Sequence, residues 1–231
     1  MDKRRFLISG GSQGIGAALV KLVCRDGHEV IFTGRHEETV DRVAKTTGAF
    51  GFRADHTLSE DNEAVVDLCD RRMGGVDVLV NNAATWYDAA LGELDLQRMR
   101  ALFDLNVFGM VELTNRIAPS MKGQQSGDIV NIASTSGTKG RKLGTAYAAS
   151  KWAVRGISQC WQAELRPHGI RVFTLCPSEV QTRWGGLGGR NNPNKLYAND
   201  IAETVVSALR MPRRAFWPEV SVFATNPWKE D

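Results

Sequence analysis

Phe6-Leu7-Ile8-Ser9-Gly10-Gly11-Ser12-Gln13-Gly14-Ile15-Gly16 carries four residues of strand character straight into a glycine-rich turn. A helical pattern follows at once: Ile15, Leu19, Leu22 and Val23 fall on one face, and Gly27 stands where a left-handed residue would close the helix. A tight strand-to-helix turn wants glycine. A pyrophosphate wants bare backbone N–H groups at a helix N-terminus. Glycines at this spacing can also be purely structural, and it is the strand–turn–helix context that favours a phosphate site.

Outward from this turn, residues 29–33, 76–80, 128–132 and 171–175 are short, nearly continuous apolar runs. Such runs suit strands of a parallel sheet covered on both faces. Residues 51–54 and 220–223 are weaker candidates. Amphipathic helical segments alternate with them, and a repeating βαβ order implies right-handed crossovers. The fold class expected is α/β: a Rossmann-like, doubly wound, mostly parallel seven-stranded sheet with helices on both faces, in one domain over residues 1–231. A Gly/Asn-rich stretch at 185–194 breaks the pattern and reads as a mobile loop.

Composition narrows the partners. The 231 residues are 42% hydrophobic and 24% charged, with a net charge of +3. No Lys/Arg block or aromatic-basic ribbon is present, which argues against nucleic acid. No metal-ligand spacing appears, so no metal is expected. The apolar stretch near the N-terminus is too short for a signal peptide, and no run of 18 apolar residues exists. A cytoplasmic protein off the membrane is expected. Cys24, Cys69, Cys160 and Cys176 read as buried thiols in a reducing compartment.

Tyr147 and Lys151 share a helix face at i and i+4. Reduction of a carbonyl by hydride needs a proton donor to the forming alkoxide, and oxidation of an alcohol needs the reverse. A free phenol has a pKa of about 10. An ammonium about 4 Å from a phenolate, at an effective dielectric near 20, stabilises it by roughly 4 kcal/mol. At about 1.4 kcal/mol per pKa unit, Lys151 is expected to bring Tyr147 down to about 7 to 8. The pair alone also fits a solvated helix face.

Together these motifs resemble the short-chain dehydrogenase/reductase family in its ordinary, non-extended form. Its TGxxxGxG is matched by residues 9–16 with Ser9 for Thr, and its NNAG by Asn81-Asn82-Ala83-Ala84. Its YxxxK is Tyr147 to Lys151, and its PGxVxT is Pro177-Ser178-Glu179-Val180-Gln181-Thr182. Ser178 stands for Gly, which leaves the local backbone geometry open. The resemblance, over about residues 4–182, implies catalysis by Tyr147 and Lys151 with Ser134, which holds the substrate oxygen, and Asn106, which holds a water that links the lysine to solvent. It places the cofactor on Gly10, Ser12, Gln13, Gly14, Ile15 and Gly16, on Asn81 and Ala83, on Tyr147 and Lys151, and on Pro177, Val180 and Thr182. Asp55 would bind the adenine amino group, although a loop carboxylate with a local role fits the spacing equally.

Gly34-Arg35 follows the second strand, where a carboxylate would favour NAD. Arg35 suits a 2′-phosphate, so NADP(H) is expected over NAD(H), although Gln13 stands where NADP users of the family often carry a basic residue. An ordinary surface arginine is the alternative. The reaction implied is interconversion of a small-molecule carbonyl and alcohol, in a homodimer or homotetramer that buries Trp152 or Trp161. Trp86, Tyr87, residues 139–143 and Trp184 would shape the substrate pocket, with a loop at about 183–197 closing over it. Rival readings are an NADP-binding sensor or scaffold without turnover, an NAD-linked alcohol dehydrogenase and, against its glycine spacing, a sugar-nucleotide epimerase.

Overall fold

The computed structural model describes residues 2–182 and 192–227. Its strands are β1 (Arg5–Ile8), β2 (Glu29–Gly34), β3 (Phe50–Arg53), β4 (Val78–Asn81), β5 (Gly127–Ile132), β6 (Ile170–Pro177), β7 (Val180–Gln181), β8 (Leu196–Tyr197) and β9 (Glu219–Val222). Its helices are α1 (Gly14–Arg25), α2 (Glu37–Thr47), α3 (Ser59–Met73), α4 (Leu96–Phe103), α5 (Met110–Gln124), α6 (Thr145–Leu165) and α7 (Ala198–Leu209). Seven strands form one sheet in the order β3-β2-β1-β4-β5-β6-β9, and every neighbouring pair is parallel. The strands β7 and β8 pair separately.

Successive strand residues point to opposite faces of a sheet, and the apolar runs fill both. Phe6, Ile8, Val78, Val80, Val130, Phe173 and Leu175 pack on one face with Leu19 and Val20 of α1 and Ile201 and Val205 of α7. Leu7, Leu79, Ile129 and Val172 pack on the other with Val65 and Cys69 of α3 and Leu113 and Ile117 of α5. This two-sided burial is why the strands read as continuous rather than alternating. Chain order reverses between β1 and β4, so a crevice opens at their C-terminal ends.

At the opposite end of the sheet, Asp128 is fully buried. Its carboxylate accepts from Arg171 Nε and Nη2 at 2.7 and 2.9 Å, from Arg4 Nη2 at 2.6 Å and from Arg213 Nη1 at 2.7 Å. Arg171 also donates to the carbonyls of Met211 and Ala215, both at 3.0 Å, which ties the segment before β9 to the sheet.

The expectation for the cysteines changes. Cys69 and Cys176 are buried, but Cys24 is only half-buried and Cys160 is exposed. The stripe that α6 buries runs through Lys151, Val154, Ser158 and Leu165, and Cys160 falls off it. Of the proposed loop at 183–197, residues 183–191, including Trp184, lie outside the described residues. In the remainder, Gln181 accepts from the Asn192 N–H at 2.7 Å and donates to its carbonyl at 2.6 Å, while Leu196 and Tyr197 form β8.

Removing the Asp128 carboxylate leaves three guanidinium groups facing a buried gap, and breaking such a network typically destabilises by about 3–5 kcal/mol. Asp128→Ala is expected to lose stability on that scale in urea unfolding. A loss below about 1 kcal/mol contradicts the assignment.

Candidate active site

The crevice is built on one serine and one asparagine. Ser9 Oγ accepts the backbone N–H groups of Asn82 and Ala83 at 3.0 and 3.1 Å. In return Asn82 Nδ2 donates to the carbonyls of Ser9 and Gly10 at 3.1 and 2.9 Å. The glycine turn is thereby pressed onto the residues after β4. Gly10 has φ +65°, and a Cβ there would lie 2.8 Å from the Ala83 Cα. Ser9 keeps the hydroxyl that this arrangement uses.

Helix α1 begins at Gly14, and its N-cap Gln13 makes no side-chain capping bond. The first-turn N–H groups are thus not occupied by a cap, which fits a pyrophosphate. The turn floors a cavity of about 490 Å³. Gly10, Ser12, Gln13, Gly14, Ile15, Ala83, Arg35, Ser134, Tyr147, Lys151, Pro177, Val180 and Thr182 all line it. Arg35 and His36 come from the end of β2, Ser134 from the end of β5, and Pro177 from the end of β6.

Four residues singled out from the sequence stand outside that wall. Gly16 packs beneath Asn82 Nδ2, 2.6 Å from where its Cβ would be. The carboxylate of Asp55 accepts from the backbone N–H and hydroxyl of Thr57 at 3.0 and 2.8 Å, while its neighbours Ala54 and His56 line the cavity. Asn81 Nδ2 donates to Thr114 Oγ1 and Asn131 Oδ1 at 2.9 and 2.8 Å, tying β4 to β5 and α5.

Asn106 lies in a π turn (Asp104–Gly109) between α4 and α5. Its Oδ1 accepts the Thr85 N–H at 2.7 Å, and its Nδ2 donates to Thr85 O at 2.9 Å and Ser150 Oγ at 3.1 Å. The Asn106 amide therefore clamps the segment after β4, with both its ends engaged. Beside it, Asn81, Asn106, Lys151 and His56 line a second cavity of about 10 Å³, roughly the room one water needs.

Helix α6 presents Tyr147 and Lys151 from its first two turns. Burial pushes the Tyr147 phenol up to about 12, against a downward pull from its hydrogen bond with Ser134. Burial also pushes Lys151 down to about 8. Its Nζ donates to Ile132 O at 2.9 Å and lies 5.7 Å from the Tyr147 ring centroid. The expected lowering of Tyr147 to 7 to 8 by Lys151 is therefore not met. Desolvation of the phenolate dominates, and the ammonium that would offset it is held on the Ile132 carbonyl.

Other side chains also differ from the reading of the sequence. Tyr87 is buried against Leu102 and Ala146, and its hydroxyl accepts the Asp95 N–H at 2.9 Å; Trp86 alone of the two lines the cavity. Ser178 avoids the left-handed region, and its N–H donates to Val222 O at 2.9 Å, so serine is tolerated there. His56 went unread. It is buried, 2.7 Å from Thr33 Oγ1 and 2.7 Å from Asn62 Oδ1, and burial holds its pKa below the usual imidazole value. Its position next to Asp55 was the one available signal. Among the described residues, no cluster of three or more His, Cys, Asp or Glu could hold a metal, and no helix is long and apolar enough to cross a membrane.

Comparison with known proteins agrees with this geometry. The short chain dehydrogenase family model matches residues 4–187. An uncharacterized oxidoreductase of Staphylococcus saprophyticus is 35% identical over 222 residues, covering 94% of this chain and 95% of that protein. An alcohol dehydrogenase of the archaeon Thermococcus sibiricus, solved with 5-hydroxy-NADP, is 26% identical with a TM-score of 0.88 and full coverage of both chains. A metagenomic short-chain oxidoreductase in complex with NADP is 28% identical with a TM-score of 0.83, covering 95% and 96% of the two chains. With the glycine turn, the Asn81–Ala84 segment and the Tyr147–Lys151 pair gathered at one crevice, the chain belongs to the short-chain dehydrogenase family of oxidoreductases.

Proposed function

We propose that the protein interconverts a small-molecule carbonyl and alcohol with NADP(H), using Tyr147 as general acid and base. The observation that carries this reading is the cavity itself: Ser134, Tyr147 and Lys151 line it, and so do Arg35 and His36. Bound there, the nicotinamide cofactor supplies or accepts the hydride. Ser134 and Tyr147 hold the substrate oxygen, and Tyr147 gives that oxygen a proton in reduction and removes it in oxidation. Lys151 returns the proton to Tyr147 and draws its own from the water-sized space beside Asn81 and Asn106. Arg35 receives the 2′-phosphate as a charge-assisted partner. Two relatives solved with NADP or an NADP derivative support that preference.

The same reading includes assembly into a homodimer or homotetramer. Trp152, 49% exposed on α6, and Phe108, 61% exposed in the π turn, are apolar groups that such an interface would cover. Trp161 is already packed against the core. Residues 183–197 are the segment proposed to close over substrate.

Three measurements test this reading. Titration should give tighter binding of NADPH than NADH, and Arg35→Ala should weaken NADPH about tenfold while leaving NADH unchanged. Over a panel of ketones, quinones and aldehydes, Tyr147→Phe should lower kcat about 10²–10⁴-fold with NADPH affinity retained. Equal affinity for the two cofactors, or full activity without the phenol, refutes the corresponding part.

The ionisation of Lys151 gives the third. Its folded-state pKa, about 8, lies below the roughly 10.4 of an unfolded lysine. Between those values the unfolded chain holds the proton more firmly, so stability rises with pH; below 8 the whole penalty, roughly 3 kcal/mol, is present. Lys151→Met relieves it and loses one hydrogen bond, worth about 1 kcal/mol. The ligand-free variant should therefore be more stable at pH 7, by about 2 kcal/mol, with the gain shrinking towards pH 10. An offset that is constant with pH in urea unfolding contradicts the assignment.

A further inference from the structure

Two chain segments flank Tyr147: the one that follows β4 and the one that precedes α6. An ion pair joins them. Arg141 Nη2 donates to Asp88 Oδ1 at 2.7 Å and to Oδ2 at 2.8 Å. One residue further along the first segment and two along the second, the Ala89 N–H donates to Leu143 O at 2.9 Å. Leu143 has φ +64°. Among the described non-glycine residues only Gln125, the C-cap of α5, shares a positive φ. A branched side chain keeps that conformation only where its surroundings hold it, and here the held atom is the carbonyl that Ala89 grips.

The pair also bears on Tyr147 electrically. Among the described residues, Ser134 from the end of β5 hydrogen-bonds the phenol, Lys151 lies on the next turn of α6, and Arg141 and Asp88 act on the phenol through their charges. Arg141 favours the phenolate and Asp88 opposes it. Paired, the two present almost no net charge to the reacting centre. Unpaired, either one would leave a full charge beside it.

We propose that the Asp88–Arg141 ion pair is a clasp that fixes the two segments flanking Tyr147 and keeps the charge beside it balanced. Asp88 and Arg141 are positioning residues in this account, and the proposal rests on Tyr147 serving as the acid and base.

The test uses a matched pair of substrates, a 3-oxo acid and its methyl ester, with Asp88→Asn and Arg141→Gln. The side chains are 21% and 43% exposed, so solvent screens them and effects of about three- to fivefold are expected. Asp88→Asn frees a cation, and should raise the acid-to-ester ratio of kcat/KM and move the Tyr147 limb of the pH profile down. Arg141→Gln frees an anion, and should lower the ratio and move the limb up. NADPH affinity, unchanged in both, certifies the fold. A purely structural role would shift both variants the same way, and that result, or no shift, overturns the proposal.

Amide hydrogen exchange at Ala89 reads the clasp without turnover. Exchange should quicken in each single variant and slow again in the swapped double variant Asp88→Arg/Arg141→Asp. Unchanged exchange in the single variants overturns the clasp. Where wild-type protein reduces neither substrate, hydride transfer is judged on the wider carbonyl panel and the clasp on Ala89 exchange.

Discussion

The reciprocal hydrogen bonds between Ser9 and Asn82 set the position of everything else at the site. They join the ends of β1 and β4 at the point where the sheet's order reverses, and press the glycine turn against Ala83. Because neighbouring strands are in fixed register, that one contact also fixes where β5 and β6 deliver Ser134 and Pro177. Glycine is required at Gly10 and Gly16 because side chains there would collide with this junction.

The second governing effect is dehydration. Tyr147 and Lys151 sit where water is largely excluded, and each is pushed towards its neutral form. Before cofactor and substrate arrive, the phenol is therefore a firmly held proton donor, and the lysine is a group whose charge is costly to keep. A positive nicotinamide ring and a substrate oxygen would alter both balances at once. The ionisation needed for alcohol oxidation is in this sense a property of the loaded site rather than of the helix that carries the pair.

Much of the architecture was legible because it rests on local rules. The strands announced themselves as apolar runs, since helices cover both faces of the sheet, and Gly27 with φ +84° closes α1 where the pattern placed it. Edge strands were harder to read: among the described residues β3 and β9 each have one neighbour in the sheet, and their apolar content is weaker. What could not be read was long-range. Asp88 and Arg141 are 53 residues apart, and nothing in either segment names the other. The burial of Tyr87 and the exposure of Cys160 depend on which face of a helix or loop meets the core. The lysine's effect on Tyr147 was misjudged for a similar reason: spacing gives proximity, but not the dielectric or the competing carbonyl of Ile132.

The π turn at Asp104–Gly109 acts as an angular adjustment between two otherwise regular helices. Each α-helical residue advances the chain by about 100°, so one residue more or less in this turn resets the phase of all that follows. Asn106 faces Thr85 and Ser150, while Leu113, Ile117 and Met121 of α5 face the sheet, and a single uninterrupted helix from Leu96 onward would satisfy one set at the expense of the other. A one-residue deletion here would leave composition and charge almost untouched and still misalign either the clamp or the core. Chain length in this segment is therefore fixed as strictly as the identity of Asn106 or of Gly109, where a Cβ would lie 2.3 Å from His56 O.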